Sequence, residues 1–129
     1  MSIQRFPHDS TAAGGGPPYS KAVRAGDLYF LAGQVGVDAL GRLAEGGIAA
    51  EARQTIENID AVLASLGLGL EDVVKATVWL TDPADFDTFN AVYRTYFGAE
   101  LPARACVRAE LMGPYRVEIE VIAAARQEK

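Results

Sequence analysis

Between residues 48 and 66 the chain places apolar side chains three or four positions apart, at Ala52, Ile56, Ile59, Leu63 and Leu66. That spacing lays one stripe along a helix over about Ile48 to Leu66, with Glu51, Gln54, Glu57 and Asn58 lying mainly off it. Gly67 stands where a left-handed C-terminal cap belongs. A second stripe, Phe86, Phe89, Tyr93 and Phe97, runs to Gly98. Asp82 suits the N-cap of that helix, Pro83 its first position, and Asp85 adds favourable negative charge in the first turn.

Elsewhere the period is two. Leu28 to Ala32 reads as a buried strand after a turn at Ala25-Gly26-Asp27, with Tyr19 to Arg24 as its antiparallel partner. Residues 35–47, carrying Gly36, Gly41, Gly46 and Gly47, read as loop. Val73 to Leu80 is a β-branched strand with Val74, Ala76, Val78 and Leu80 on one face. Ala103 to Leu111 alternates, with Arg104, Cys106, Arg108 and Glu110 opposite Ala103, Ala105, Val107, Ala109 and Leu111. Val117 to Ala123 alternates again, with Glu118 and Glu120 opposed to Val117, Ile119 and Val121. The order β-β-α-β-α-β-β predicts an α+β fold, two helices packed on one face of a mixed sheet. The face left open carries Thr77, Trp79, Arg104 and Cys106 on this reading, a half-apolar surface that predicts a homo-oligomer.

Length adds that residues 1–129 fit one domain, with residues 1–15, rich in Gly, Ser and Thr towards their end, expected to be loosely held. No apolar signal segment or membrane span is apparent, which predicts a cytoplasmic protein without a membrane partner. The formal net charge of −5 argues against nucleic acid, whose phosphates are met by Lys and Arg. A single Cys and a single His, His8, argue against a disulfide, a Cys/His metal site and a Ser-His-Asp triad, so no metal is expected.

Few residues remain that could do chemistry. Arg104 and Cys106 project from one face of a strand, roughly 6.6 Å apart at the strand rise. Were this strand to pair with the next as a hairpin, a guanidinium, a thiol and the carboxylate of Glu118 or Glu120 would come together; the pattern does not choose between the two. The planar fork of an Arg is suited to a substrate carboxylate, and a Glu on an apolar floor can carry a raised pKa and move protons. The plainer alternative is a cross-strand ion pair worth about 0.2–1 kcal/mol. Cys106 has no base beside it and reads as a small buried hydrophobe. Tyr19 follows the rigid Gly16-Pro17-Pro18 and is either a ligand-side hydroxyl or a packing aromatic. Gly33-Gln34 could present backbone N–H groups or simply end a strand. Asn90, beside Phe89, is either a structural hydrogen-bonder or a pocket group. Gly14-Gly15-Gly16 lacks the context of a phosphate loop.

Taken in order, several motifs resemble those of the RidA/YjgF family of reactive-intermediate deaminases. They are Gly16-Pro17-Pro18-Tyr19-Ser20, Leu31-Ala32-Gly33-Gln34, Ala52-Arg53-Gln54 with Asn58, Asp72-Val73-Val74-Lys75, Asp85-Phe86 with Asn90 and Tyr93, Pro102-Ala103-Arg104-Ala105-Cys106-Val107, and Val117-Glu118-Ile119-Glu120. The resemblance covers all but the first dozen residues, and Pro-Ala-Arg-x-Cys-Val is its most specific part. It implies a chorismate-mutase-like fold, a homotrimer with clefts between subunits, and cofactor-free hydrolysis of 2-imino or enamine acids to 2-keto acids and ammonia. It assigns Arg104 to the substrate carboxylate and Glu118 to the water or a proton, and puts Tyr19, Gly33, Asn90 and Cys106 in the cleft. Ala32 stands where many members have Ser or Thr, and Met112 to Arg116 departs from the usual Leu-Pro turn. Two other readings fit the family: a non-catalytic trimer that binds small acids, and an RNA-acting translation inhibitor or endoribonuclease, which the charge disfavours.

Overall fold

In the computed structural model, which describes residues 2–8 and 16–127, both apolar stripes become helices lying on one face of a seven-stranded sheet. The strands are β1 (Ile3–Phe6), β2 (Ala22–Ala25), β3 (Leu28–Leu31), β4 (Gln34–Val35), β5 (Val73–Leu80), β6 (Ala103–Arg108) and β7 (Val117–Ala124). The helices are α1 (Ile48–Ser65), between β4 and β5, and α2 (Phe86–Phe97), between β5 and β6. The sheet runs β1-β2-β3-β7-β5-β6, with β4 also paired to β7. Among the described strands, only β5 and β6 pair in parallel. Strand and helix order is chorismate-mutase-like, as expected.

The core lies between sheet and helices. Ala52, Ile56, Ile59 and Leu63 of α1 are fully buried, as are Ala76, Val78, Val117, Ile119 and Ala123 beneath them. From α2, Phe89, Val92, Tyr93 and Phe97 complete it. Asp82 caps the 3-10 turn Pro83–Asp85 that leads into α2, its side chain accepting from the Ala84 N–H at 2.9 Å. Gly67, with φ 77°, follows the end of α1.

Several expectations need correction. Residues 2–8 are not loose: Ile3–Phe6 pairs antiparallel with Ala22–Ala25, and Phe6 packs against the Tyr29 ring. The rest of that expectation, Met1 and residues 9–15, and with it Gly14 and Gly15, lies outside the described residues. The loop over 35–47 begins with a short strand, since Gln34 and Val35 pair with Ile119 and Glu118. On β5 a register shift between Val73 and Lys75 puts Val73 in the core and leaves Val74 exposed. The strand expected to reach Leu111 ends at Arg108.

Glu51 is the largest exception. It lies on the buried face of α1, only 2% exposed. The buried stripe is wider than five apolar residues, taking in Ile48, Glu51 and Thr55 as well. Asn58, also on α1, donates to the carbonyls of Val35 and Val37 at 3.1 and 2.8 Å, while its Oδ1 accepts from Gln54 at 2.8 Å. It thereby ties the segment after β4 to the helix.

Candidate active site

Residues paired across a sheet share a face, so register decides what each candidate side chain meets. Arg104 is opposite Ala76 and Cys106 opposite Val78, both core positions under the helices. Arg104 and Cys106 therefore point to the helix side, not to the open face with Thr77 and Trp79. The reason is the parallel pairing of β6 with β5, which the alternation in β6 alone does not reveal.

The Arg104 guanidinium lies over a shelf of aromatic rings from the start of α2. Its Cζ is 4.9 Å from the centre of the Tyr93 ring, 5.8 Å from Phe89 and 5.9 Å from Phe86. Ring faces attract a cation without using its N–H donors. Among the described residues no carboxylate lies within ion-pair distance of it. Arg104 lines a cavity of about 160 Å³ with Asn90, Tyr93, Arg94, Leu101 and Pro102. Two polar atoms near this cavity, Asn90 Oδ1 and Tyr93 Oη, are buried without a hydrogen-bond partner. Burial raises the Tyr93 pKa, with Arg104 partly opposing it. Cys106 lines an adjoining depression of about 270 Å³ with Leu80, Pro83, Phe86, Val107 and Arg108. Burial pushes its thiol up as well, Arg104 again opposing, so the Sγ is held in the protonated form rather than as a thiolate.

Glu118 belongs to the other side of the sheet. On β7 it is opposite Trp79 of β5 and Val35 of β4. The hairpin that would join it to Arg104 does not form, because β5 lies between β6 and β7. Within one chain the guanidinium and this carboxylate thus face opposite ways. Gly33 adjoins Glu118: a Cβ there would collide with the Oε2 and lie 3.2 Å from the Cδ. Among the described residues Glu118 has no hydrogen-bond donor or cation. Burial raises its pKa, and the like charge of Glu120 raises it further.

Tyr19 is 56% exposed, not a core aromatic. Its ring meets His8 edge-on at 4.8 Å, and its N–H donates to the Pro17 carbonyl at 2.8 Å. Two larger clefts, about 580 Å³ each, hold none of Tyr19, Gly33, Asn90, Arg104, Cys106 and Glu118; one is bordered by Arg24, Tyr29 and Arg126, the other by His8, Lys21, Gln34 and Asn58. Among the described residues no three His, Cys, Asp or Glu side chains are grouped to hold a metal ion. No helix there is long and apolar enough to cross a membrane.

The structure thus brings Arg104, Cys106 and Asn90 together on one side and Glu118 with Gly33 on the other. Phe86 and Tyr93, as the shelf under Arg104, belong to the first group as much as the residues singled out from the sequence. The signal for them was the aromatic stripe of α2, read as the apolar face of a helix, and the family motif Asp85-Phe86 with Asn90 and Tyr93, which gave neither a role.

The chain as a whole is similar to known proteins. The family described as endoribonuclease L-PSP matches residues 11–125. A RutC family protein of Pyrococcus horikoshii is 44% identical over 82% of this chain and 86% of its own length. The 2-iminobutanoate/2-iminopropanoate deaminase of Mus musculus is 45% identical over 82% of this chain and 80% of its own. The crystal structure of a YjgF family member from Neisseria meningitidis superposes with a TM-score of 0.80 at 34% identity, covering 99% of this chain and 98% of that one.

Proposed function

The chain belongs to the YjgF/RidA family, and on that premise we propose that it hydrolyses 2-imino acids, and the enamines that tautomerise to them, to 2-keto acids and ammonia. The observation that carries this reading is the Arg104 guanidinium on its aromatic shelf, with its N–H fork free to meet a carboxylate at the mouth of a small cavity.

An imine carbon is already electrophilic, so the chain has three modest tasks. Arg104 binds both oxygens of the substrate carboxylate and fixes C2 in place. Asn90 Oδ1 accepts from an N–H of the substrate. Glu118, with its raised pKa, takes a proton from water as the oxygen bonds to C2 and returns it to the nitrogen. The carbinolamine then collapses: Glu118 takes the hydroxyl proton and passes it to the amino nitrogen, the C–N bond breaks, ammonia leaves and the oxygen remains as the C=O of the 2-keto acid. Cys106 and Gly33 line the cleft, and Tyr19 borders it.

Because Arg104 and Glu118 face opposite ways, the site is completed between copies of the chain. We assign it to a homotrimer in which Arg104 of one protomer meets Glu118 of a neighbour. The open sheet face, with Phe30, Ile122, Trp79 and Val107, supplies apolar surface for that contact.

The test is to generate 2-aminoacrylate with a Ser dehydratase and follow imine loss. Acceleration over buffer that disappears in Arg104→Ala supports the reading. Saturable binding of a 2-keto acid with no acceleration would leave a binding protein instead.

A further inference from the structure

The buried Glu51 takes no part in the chemistry above, and a buried carboxylate is costly unless its oxygens are met. Its partners are specific. Oε1 accepts the backbone N–H of Arg116 at 2.8 Å, across 65 residues of sequence. Oε2 lies 3.6 Å from Arg116 Nε. Arg116 opens the way into β7, two residues before Glu118, and its carbonyl accepts from Thr81 N–H at 3.1 Å. The backbone of Glu51 supports a second segment. A Cβ on Gly36 would lie 2.8 Å from both the Cα and the carbonyl oxygen of Glu51, so the chain leaving β4 rests directly on this residue.

Gly33 to Gly36 and Arg116 to Glu118 are the two segments that flank the Glu118 carboxylate. Both bear on Glu51, one through its backbone and the other through its side chain. Arg116 carries the connection onward, its Nη1 lying 3.6 Å from Asp85 Oδ2, next to the Phe86 ring of the Arg104 shelf.

We propose that Glu51 is a positioning residue for imine hydrolysis, holding the start of β7 and the end of β4 so that the Glu118 carboxylate keeps its place beside Gly33. A surface ion pair could not do this, because Arg116 is half exposed and the pair alone is weak. The charge-assisted bond from the Arg116 N–H is part-buried, accepted by a carboxylate that is itself buried, and it fixes backbone, not merely a side chain. The proposal rests on the functional reading above for its effect on rate, but not for its effect on Glu118.

Two variants and two readouts test it. In Glu51→Gln an acceptor for the Arg116 N–H remains without the charge; in Glu51→Ala both are gone. With kinetics taken where every variant is folded, kcat is expected to fall about threefold in Glu51→Gln and about thirtyfold in Glu51→Ala, while KM, set by Arg104, stays within about twofold. The Glu118 carboxyl, followed by 13C NMR, is expected to titrate lower in the same order as the side chain loosens into water. Ile59→Ala serves as the comparison for lost stability alone, with kcat unchanged. Should Glu51→Ala fail to fold, Glu51→Gln decides. An unchanged kcat with an unchanged Glu118 titration in folded Glu51→Gln overturns the proposal. If the native protein does not accelerate imine loss, the functional reading falls, and the titration alone still supports or overturns the positioning of Glu118.

Discussion

The space that a side chain on Gly33 would fill is taken by the carboxylate of Glu118. The contact is with the end of a flexible side chain, and Gly33 needs no left-handed backbone. Gly33→Ala is therefore expected to fold normally, with Glu118 swung aside. Its melting temperature should stay within about 2 °C of the native value, because surface-type changes of this kind cost little. Imine hydrolysis should fall about tenfold or more, since misplacing a catalytic group by about 1 Å has that scale of effect. Paired thermal melts and initial rates check both parts.

Arg104 holds no carboxylate in the described fold, so replacing it should leave the structure nearly intact. Loss of its aromatic contacts costs about 0.5–1 kcal/mol. Arg104→Lys keeps the charge but not the planar fork. KM is expected to rise about tenfold or more with the fold preserved, as read by steady-state kinetics and circular dichroism.

Glu118 gives a signed pH effect. Burial first, then Glu120, raises its pKa above the ordinary value of 4.5. The folded state then binds more protons at this group than the unfolded state does, and stability from it falls as pH rises from 4.5 through the folded pKa. Glu118→Gln cannot titrate. Relative to that variant, the native protein is expected to lose stability with rising pH across this window, measured by denaturant midpoints at a series of pH values. Parallel curves would contradict the assignment.

The core is held by ordinary packing. Ile59, fully buried under the sheet, should cost about 2–5 kcal/mol when cut to Ala, read by urea denaturation.

Much of this was legible in the residues. Helix positions follow from apolar spacing at 3.6 residues. Gly67 marks the end of α1 to within two residues, but Asp82, expected as the N-cap of α2, caps the 3-10 turn before it, and the helix starts only at Phe86. Sheet connectivity was not legible, because alternation in β6 says which residues share a face but not which strand lies beside it. The parallel β5–β6 pair sends Arg104 under the helices, and the intervening β5 parts it from Glu118. Glu51 was hidden for a different reason. Counting from Ile48 at three, four, seven and eight would have put positions 51, 52, 55 and 56 on the buried face, but a Glu there reads as solvent-facing until its partner 65 residues away is known. The family motifs supplied what pattern could not, the preference for Glu118 over Glu120.

The central claim is that Arg104 and Glu118 act together across two copies of the chain. Arg104→Ala and Glu118→Ala, each expected to be inactive alone, can be unfolded, mixed in equal amounts and refolded so that their protomers reassort. In a cyclic assembly about a quarter of the clefts would then pair an intact Arg104 with an intact Glu118 of the neighbour. Recovery of about a quarter of the native rate of 2-aminoacrylate hydrolysis is the predicted result. No recovery, from a mixture shown by mass spectrometry to contain hybrid oligomers, would contradict a shared site.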